Sequence, residues 1–371
     1  MPDDVDVAVV GAGPAGLATS QQLRALGIGH RVLERGDTVG YTWANLYDSL
    51  TLHTGKHMSS LPGMPFPRSA PLFVPRDEFW NYLRHYARRF ELPVDTGCAV
   101  DRIARSDGHW LLTAQRGSLT ARVVVVATGI VANPRIPRLP EQERFIGTIE
   151  HSVTYRRPDG YAGRRVLVVG VGNSGAEIAS EIARAGGRVT VAVRSGANVV
   201  PLTIAGVPIQ YVAYWVRKLP RRVQEVVVTL VRLITELRRG KPVLPRPAYS
   251  PLDAIPVIGF HLVDAIAQGL IEVRPGVAEL TAEGARFTDG TTGRFDEIML
   301  ATGFGAAVGP LGSLIRVDPK GFGRRRDRVV SVDQPALYFV GHNYDATGGL
   351  YNINRDARLA AKLIARDVTK T

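Results

Sequence analysis

Short apolar runs recur along the chain, and several of them end at a glycine-rich turn. The runs at residues 5–10 and 165–169 are each followed by the spacing GxGxxG and then by apolar residues at helical intervals. Apolar runs of this length are typical of buried parallel strands. The pattern therefore predicts strand, tight turn and helix at two places, which indicates an α/β fold with two Rossmann-like dinucleotide-binding domains.

The first glycine turn has the features of a site for a dinucleotide that lacks a 2′-phosphate. Gly11 allows the tight turn, Gly13 lets the backbone approach a pyrophosphate, and Gly16 lets helix and strand pack closely. The next predicted strand ends at Glu34, 18 residues beyond Gly16. An acid at this position binds ribose hydroxyls and disfavours a 2′-phosphate, so the site is predicted to bind FAD or NAD rather than NADP.

The second glycine turn is followed by the opposite charge. Gly170, Gly172 and Gly175 repeat the spacing, and the next predicted strand ends at Arg194, 19 residues beyond Gly175. An arginine here can pair with a 2′-phosphate, which favours NADP, although a solvated arginine at a strand end is an alternative. Two such sites in one chain indicate electron transfer between dinucleotides, and NADPH and FAD are the usual pair.

Two further apolar runs, which end in the sequence Ala-Thr-Gly at residues 127–129 and 301–303, predict returns of the chain near a cofactor. We therefore expect an FAD-binding domain of residues 1–155 plus 305–371, with the NADP-binding domain of residues 160–304 inserted into it. The return is supported by three predicted C-terminal elements: a strand at 336–340, a glycine-rich loop at 341–350 and a helix at 354–367.

The NADP-binding domain is predicted to carry a mostly helical insertion at about 205–260. Within it lies a basic helix, residues 217–241, with basic side chains clustered at both ends. Its apolar face is formed by Val223, Val226, Val227, Leu230, Val231 and Ile234. We expect this face to pack on its own domain or on a partner subunit in a homodimer, while contact with a membrane stays open as an alternative.

The amino-acid composition argues against several kinds of site and partner. The single cysteine, Cys98, cannot form an internal disulfide or a redox pair, and the eight histidines lack metal-binding spacing, so no metal site is expected. The net charge of +12 suits anionic ligands, but no zinc finger, aromatic-basic RNA motif or basic tail is present, and we expect no nucleic-acid partner. The acidic start of the chain and the lack of a long apolar run predict a cytoplasmic protein.

The segment before the second glycine turn carries the most specific motif. Phe145, Gly147, His151 and Tyr155 fit the pattern FxGxxxHxxxY. With this motif the chain resembles the class B flavin-dependent monooxygenases, most closely the plant YUCCA-type members and their bacterial relatives. Baeyer–Villiger relatives usually carry Trp in place of Tyr155, which favours the branch that oxidises heteroatoms or carbon without excluding ketone oxidation. Other stretches that resemble the family lie at residues 40–43, 50–56, 61–66, 246–252 and 301–304.

The resemblance implies an NADPH- and O2-dependent monooxygenase. In this family NADPH reduces FAD, oxygen adds to give a flavin C4a-(hydro)peroxide, bound NADP⁺ shields it, and a small organic substrate takes one oxygen atom. An aromatic or aryl-pyruvate-like acid or a natural-product intermediate is the expected substrate class. The alternative that stays open is an NADPH-dependent flavoprotein reductase of a quinone or electron carrier.

The resemblance also supplies candidate site residues. Those expected near the reacting atoms are Thr54, Lys56, Asn343 and Tyr344; Lys56 either donates to a flavin or nicotinamide oxygen or is a surface lysine. Many amine- and sulfide-oxidising members carry Asn at about the position of Thr54, so its absence favours the YUCCA-type branch. The residues expected to bind the two cofactors are Gly11, Gly13, Pro14, Ala15, Gly16, Glu34, Arg35, Thr42, Trp43, Leu52, His53, Val100, Ala127, Thr128, Gly129, Gly341, Gly170, Gly172, Asn173, Ser174, Gly175, Arg194, Ser195, Ala301, Thr302 and Gly303.

Overall fold

The computed structural model describes residues 3–369, and the chain divides into two compact units. The first unit consists of the chain up to Asn133 together with the chain from Phe304 onward. The second unit is Pro134–Gly303, so in sequence it is inserted into the first.

The helices and strands follow in chain order. Residues 3–133 contain the strands β1 (Asp3–Val10), β2 (His30–Leu33), β3 (Thr51–Gly55), β4 (Phe73–Pro75), β5 (Val94–Asp95), β6 (Val100–Ser106), β7 (His109–Ala114) and β8 (Gly117–Val126), and the helices α1 (Pro14–Ala25), α2 (Tyr41–Ala44), α3 (Lys56–Ser59) and α4 (Arg76–Arg89). Residues 134–303 contain the strands β9 (Thr148–His151), β10 (Arg165–Val169), β11 (Arg188–Ala192), β12 (Val199–Val200), β13 (Thr203–Ile204), β14 (Val207–Pro208), β15 (Val257–Ile258), β16 (Ile271–Arg274), β17 (Val277–Thr281), β18 (Gly284–Phe287), β19 (Thr292–Arg294) and β20 (Glu297–Leu300), and the helices α5 (Asn173–Arg184), α6 (Ile209–Val216), α7 (Arg221–Arg239) and α8 (His261–Ala267). Residues 304–369 contain the strands β21 (Arg325–Arg326), β22 (Val330–Ser331) and β23 (Leu337–Phe339) and the helix α9 (Gly349–Thr369). Short 3-10 turns lie at Gln142–Arg144 and Gly309–Leu314.

The main sheet of the first unit has the order β21-β22-β23-β8-β1-β2-β5, with β6 and β7 joined at β8. Its centre is parallel, and Val10 at the end of β1 lies beside Leu33 on one side and Val126 on the other. Alternate side chains of β1 enter different cores because successive residues of a strand point to opposite faces. Val7 and Val9 pack in the core that includes α1 and α9, whereas Ala8 and Val10 pack in the core that includes β6 and β7.

The main sheet of the second unit has the order β16-β11-β10-β20-β9, and all of its pairs are parallel. Val169 at the end of β10 lies beside Ala192 of β11 and Leu300 of β20. Helix α5 buries Ile178 and Ile182 completely. Each unit therefore ends its central strand between two parallel neighbours, which is the place where α/β sheets bind ligands.

Three boundaries expected from the sequence differ in the structure. The stretch 134–155, which we assigned to the first domain, lies in the second unit because β9 pairs in parallel with β20. The helix expected at 217–241 is Arg221–Arg239, because Pro220 begins it and Gly240 ends it with a φ of 82°. Helix α9 also begins earlier than expected, at Gly349 rather than 354.

Candidate active site

The first glycine turn is built so that only glycine fits at two of its positions. Gly11 has a φ of 105°, and a Cβ there would lie 2.7 Å from the Ala127 carbonyl oxygen. A Cβ at Gly16 would overlap the Gly11 carbonyl oxygen. The chain can therefore pass closely from β1 into α1 only with these residues.

The middle glycine serves a different purpose. A Cβ built at Gly13 meets nothing within 4 Å, and Gly13 caps α1 without a side-chain hydrogen bond among the described residues. Pro14 occupies the first turn of the helix, where its missing N–H costs nothing. Open space at an uncapped helix N-terminus fits a pyrophosphate, because the backbone N–H groups and the helix dipole both favour an anion.

Glu34 lies beside this turn. One of its carboxylate oxygens accepts a hydrogen bond from the Ala12 amide at 2.7 Å, and the other accepts one from the Gly36 amide at 3.0 Å. The side chain is buried, with 7% of its surface exposed. Each carboxylate oxygen has a second lone pair, so the same group can also accept from ribose hydroxyls.

Two later segments complete the surroundings of the first turn. The Ala127 amide donates to the Val10 carbonyl at 2.9 Å, and Thr128 Oγ1 donates to the Ala307 carbonyl at 2.7 Å. Gly341, with a φ of 84°, lies against the start of α1, since a Cβ there would be 3.0 Å from the Ala15 Cβ. The structure thus brings Ala127 and Gly341 to the first glycine turn.

The second glycine turn repeats the same geometry. A Cβ at Gly170 would lie 2.7 Å from the Ala301 carbonyl oxygen, and a Cβ at Gly175 would overlap the Gly170 carbonyl oxygen. A Cβ at Gly172 meets nothing within 4 Å, and α5 has no side-chain cap among the described residues. This turn therefore also fits a pyrophosphate.

Asn173 fixes the second turn to the proline-rich part of the insertion. Its side-chain amide donates to the Pro256 carbonyl at 3.1 Å, and its side-chain oxygen accepts from the Ile258 amide at 2.8 Å. Half-buried Ser174 follows it on α5.

Arg194 and Ser195 are exposed just beyond the end of β11. The loop after them is fixed by backbone contact, because the Ala197 amide donates to the Pro245 carbonyl at 3.1 Å and a Cβ at Gly196 would overlap that oxygen. The guanidinium thus stands on a fixed loop, at the same edge of the sheet as the glycine turn.

In the FxGxxxHxxxY motif that precedes the second glycine turn, the first two residues, Phe145 and Gly147, have structural roles. Phe145 packs in the core of the second unit with Leu280 and Phe295. A Cβ at Gly147 would lie 2.6 Å from the Asp296 carbonyl oxygen. Only glycine therefore allows the chain to enter β9 at this distance.

His151, at the end of β9, contacts the end of the Ala-Thr-Gly segment. The Val153 amide donates to Nδ1 at 3.1 Å, so Nε2 carries the proton and donates to the Gly303 carbonyl at 3.2 Å. Burial lowers the pKa of His151, which favours this neutral form. Tyr155 is buried, and burial raises the pKa of its hydroxyl. His151 thus joins two backbone segments, and the Tyr155 ring packs against that of Tyr161, with 5.9 Å between the ring centroids.

Three of the four residues expected near the reacting atoms lie around the C-terminal loop. Thr54 lies against Gly348, since a Cβ there would be 2.7 Å from Thr54 Oγ1. Tyr344 is 40% exposed and lies next to Gly349. Asn343 donates to the Arg328 carbonyl at 3.1 Å and to the Asp356 carboxylate at 2.5 Å, so its position is fixed.

Lys56 is not placed with these three. Its ammonium donates to the carbonyl oxygens of Pro67, Arg68 and Ala70 at 3.2, 2.8 and 2.5 Å. An ammonium has three N–H donors, so these contacts use all of them. These contacts hold the loop that begins at Pro67, and the expectation that Lys56 donates to a flavin or nicotinamide oxygen stays a prediction.

Thr302 lies in the second unit, where its hydroxyl donates to the Arg135 carbonyl at 2.5 Å. The other candidates lie within the first unit. Arg35 is exposed, with its guanidinium 5.8 Å from the centre of the Tyr41 ring. Trp43 packs edge-on against Phe79 at 4.5 Å. Leu52 is buried in β3. Thr42, His53 and Val100 are half-buried.

Sequence reasoning missed the residues that support the C-terminal loop. Asp356 is fully buried in α9 and accepts from Arg328 Nε at 2.8 Å, while Arg328 also donates to Asn352 at 2.9 Å. The spacing of Asn352 and Asp356, four residues apart in a helix, places both on one face and was the available signal. His342, directly after Gly341, is buried between the rings of Phe322 and Phe339 and had no such signal.

Known flavin-dependent monooxygenases are similar to this chain in sequence and in structure. The model of the family described as flavin-binding monooxygenase-like matches residues 4–318. The indole-3-pyruvate monooxygenase YUCCA1 of Oryza sativa subsp. japonica is 36% identical over 312 residues, which cover 81% of this chain and 77% of that protein. A flavin-containing monooxygenase from Stenotrophomonas maltophilia superposes with a TM-score of 0.77 at 26% identity and covers 98% of this chain and 99% of its own.

More distant structures share the architecture alone. An open form of cyclohexanone monooxygenase superposes with a TM-score of 0.74 at 19% identity over 98% of this chain and 88% of its own. The expected α/β class with two Rossmann-like domains is confirmed, and the reductase alternative is not favoured by the family match. The chain therefore belongs to the flavin-binding monooxygenase-like family and is an FAD-containing, NADPH-dependent monooxygenase.

Proposed function

We propose that this monooxygenase transfers one oxygen atom from O2 to a small aromatic or aryl-pyruvate-like acid. The observation that carries the proposal is the pair of glycine turns whose neighbouring strands end in opposite charges, Glu34 in one unit and Arg194 in the other. Support for the substrate class comes from the rice relative, which is named for indole-3-pyruvate. Tyr155 and Thr54 favour the same branch of the family.

We propose that FAD binds the first unit. Gly13 and the N-terminus of α1 would hold the pyrophosphate, and Glu34 would accept from the ribose hydroxyls. The other proposed FAD residues are Gly11, Pro14, Ala15, Gly16, Arg35, Thr42, Trp43, Leu52, His53, Val100, Ala127, Thr128, Gly129 and Gly341.

We propose that NADPH binds the second unit. Gly172 and the N-terminus of α5 would hold its pyrophosphate, and Arg194 with Ser195 would bind the 2′-phosphate, since a guanidinium matches phosphate geometry. The other proposed residues are Gly170, Asn173, Ser174, Gly175, Ala301, Thr302 and Gly303.

The side chains of the protein position groups rather than exchange protons. FAD, when bound, supplies the hydride acceptor and the activation of O2. Thr54, Asn343 and Tyr344 would line the space beside it, and their donors and apolar surfaces would orient the acid and limit the access of water. The cytoplasmic location expected from the sequence stays a prediction.

The test is oxygen incorporation. Purified protein loaded with FAD is supplied with NADPH, isotopically labelled O2 and either indole-3-pyruvate or phenylpyruvate. We expect one labelled oxygen in the organic product and nearly one product formed per NADPH oxidised. NADPH oxidation that yields only hydrogen peroxide with every aryl-pyruvate would contradict the substrate class. NADPH-dependent reduction of a quinone without oxygen, together with no labelled product, would support the reductase instead.

A further inference from the structure

Helix α7 presents an apolar stripe to solvent. None of its residues is buried. On a helical projection the exposed large side chains fall within an arc of about 100°. These residues and their exposed fractions are Val223 (42%), Val226 (58%), Leu230 (52%), Leu233 (47%), Ile234 (50%) and Leu237 (86%).

The opposite side of the helix faces the protein. The half-buried residues of that side include Gln224, Val228 and Thr235. A helix on the surface of a protein normally turns its apolar stripe inward. Of the predicted apolar face, Val223, Val226, Leu230 and Ile234 are exposed and do not pack on their own domain, whereas Val227 and Val231 are half-buried. Packing of this face on a partner subunit stays a prediction.

The segment before α7 extends the exposed surface. Trp215 in α6 is 65% exposed and Leu219 is 42% exposed. The Lys218 ammonium lies 4.1 Å from the centre of the Trp215 ring and 4.4 Å from that of Tyr214. Tryptophan and tyrosine beside a lysine are typical of the interface between a bilayer and water.

Positive charge surrounds the stripe. Arg222 and Arg238 flank it on the projection, one near each end of α7, and both are exposed. The two acidic residues of the helix are already paired: Glu225 accepts from Ser250 at 2.9 Å and lies 2.7 Å from Arg221, and Glu236 accepts from Arg246 at 2.6 Å and lies 3.9 Å from Arg232. Eight basic residues and two acidic ones lie between positions 217 and 241, and Asp253 and Asp264 pair with Arg221 and Arg239 from outside this range. The basic residues still outnumber these four acidic ones, so this surface attracts anions.

We propose that the surface formed by Trp215, Leu219 and the exposed stripe of α7 docks on a bilayer that contains anionic lipids. The helix would lie in the plane of the interface, with the stripe among the acyl chains and the arginines at the headgroups. Among the described residues, no helix combines the length and apolar character that crossing a bilayer requires.

A second copy of the chain is the less favourable occupant. In a two-fold interface the same surface meets itself. With α7 paired in antiparallel fashion, Arg222 of one copy would lie at the same end of the interface as Arg238 of the other, and with parallel pairing each arginine would lie at the same end as its own equivalent. Like charges would therefore collect at each end of the interface in both arrangements, which opposes association. An anionic bilayer has the complementary charge.

The test uses the full chain loaded with FAD and vesicles of phosphatidylcholine with or without phosphatidylglycerol. We expect co-sedimentation with the anionic vesicles that weakens as salt is raised. The double variant Leu230→Ser/Leu237→Ser should lower the partition coefficient roughly tenfold or more. Arg222→Gln/Arg238→Gln should lower it by about fivefold for each charge. Fluorescence of Trp215 should be quenched by brominated lipid, and this signal should be lost in Trp215→Phe.

Matched controls are Val332→Ser for an exposed apolar residue and Arg68→Gln/Arg102→Gln for two exposed arginines, all in the first unit. These variants should bind as the unaltered protein does, and every variant should keep its flavin content. If the Leu230→Ser/Leu237→Ser variant bound the anionic vesicles as well as the unaltered protein, the proposal would be overturned, because the binding would then depend on net charge alone. Absence of binding to any vesicle, with a dimer in light scattering that the same variant dissociates, would assign the stripe to a second copy.

Discussion

The Ala12 amide donates a hydrogen bond to the Glu34 carboxylate at 2.7 Å, so the acid that directly follows β2 holds the turn that follows β1. The Gly36 amide binds the other carboxylate oxygen at 3.0 Å. One buried side chain thus joins two loops at the carboxyl edge of the sheet. The carboxylate is therefore already oriented to accept hydrogen bonds from the ribose hydroxyls of a bound ligand.

We expect Glu34→Gln to weaken FAD retention and the fold together. A glutamine side chain has one acceptor oxygen and an amide that cannot accept, so either the Ala12 or the Gly36 amide loses its partner. Leaving such a group unpaired costs about 1–3 kcal/mol. The measurements are the flavin-to-protein absorbance ratio after dialysis and urea unfolding without flavin. Glu91→Gln, which changes an exposed acid paired with Arg24, is the control and should leave both unchanged.

The local pattern of apolar residues and glycines was sufficient to predict the central strands and the two glycine turns. The apolar run at residues 165–169 predicted β10 to the residue, because buried strands and glycine turns are specified by neighbouring residues. The hydrogen bonds of Lys56 with the carbonyls of Pro67, Arg68 and Ala70 were not predictable, because they form with a loop whose conformation depends on tertiary contacts. The boundary near residue 134 was missed for a related reason, since β9 pairs with β20, about 150 residues further on in sequence.

Arg194→Ala should change the choice of nicotinamide cofactor. Loss of a charged hydrogen bond to phosphate costs about 1.5–3 kcal/mol, so kcat/KM for NADPH should fall roughly 10- to 100-fold while that for NADH changes little. The control is Arg188→Ala, at the other end of β11 and also exposed. Steady-state rates with both cofactors measure the effect. Equal, small losses with NADPH and NADH would remove Arg194 from the 2′-phosphate site.

Asn173→Asp should affect NADPH and NADH alike. The carboxylate still accepts from the Ile258 amide, but it can no longer donate to the Pro256 carbonyl and faces that oxygen with a negative charge. We expect a loss of about 1–3 kcal/mol in the free energy of unfolding and a higher KM for both cofactors. Asn198→Asp, which removes a donor to the exposed Tyr249 carbonyl, is the control. A selective effect on NADPH would show that Asn173 acts at the 2′-phosphate instead.

Asp356→Ala should disturb the C-terminal loop. The carboxylate is fully buried, accepts from Arg328 at 2.8 Å and from Asn343 at 2.5 Å, and fixes both. Removing one member of a buried pair costs about 3–5 kcal/mol because the other charge is left without its partner. Flavin retention should fall with the stability. The double variant with Arg328→Ala should be less destabilised than the sum of the single variants, and simple additivity would argue against the coupling.

His342 makes the stability of the first unit sensitive to acid. Its ring lies 5.5 Å from that of Phe322 and 5.1 Å from that of Phe339, measured between centroids. Neither ring nitrogen has a hydrogen-bond partner among the described residues. Burial, with a contribution from the nearby Arg325, lowers the pKa of His342 to about 3. The folded protein therefore keeps this ring neutral at a pH where the unfolded chain binds a proton.

The free energy of unfolding should consequently fall as the pH drops from 6.5 towards 3, by at most about 1.4 kcal/mol per pH unit from this residue, or about 2 kcal/mol in total at pH 5. His342→Phe preserves an aromatic ring among aromatic neighbours and removes the titrating group, so the difference between urea unfolding at pH 7.5 and at pH 5 should shrink by about 2 kcal/mol. His85→Gln, on the exposed side of α4, should leave that difference unchanged. If the stability difference between pH 7.5 and pH 5 were the same in His342→Phe as in the unaltered protein, His342 would not be the source of the acid sensitivity.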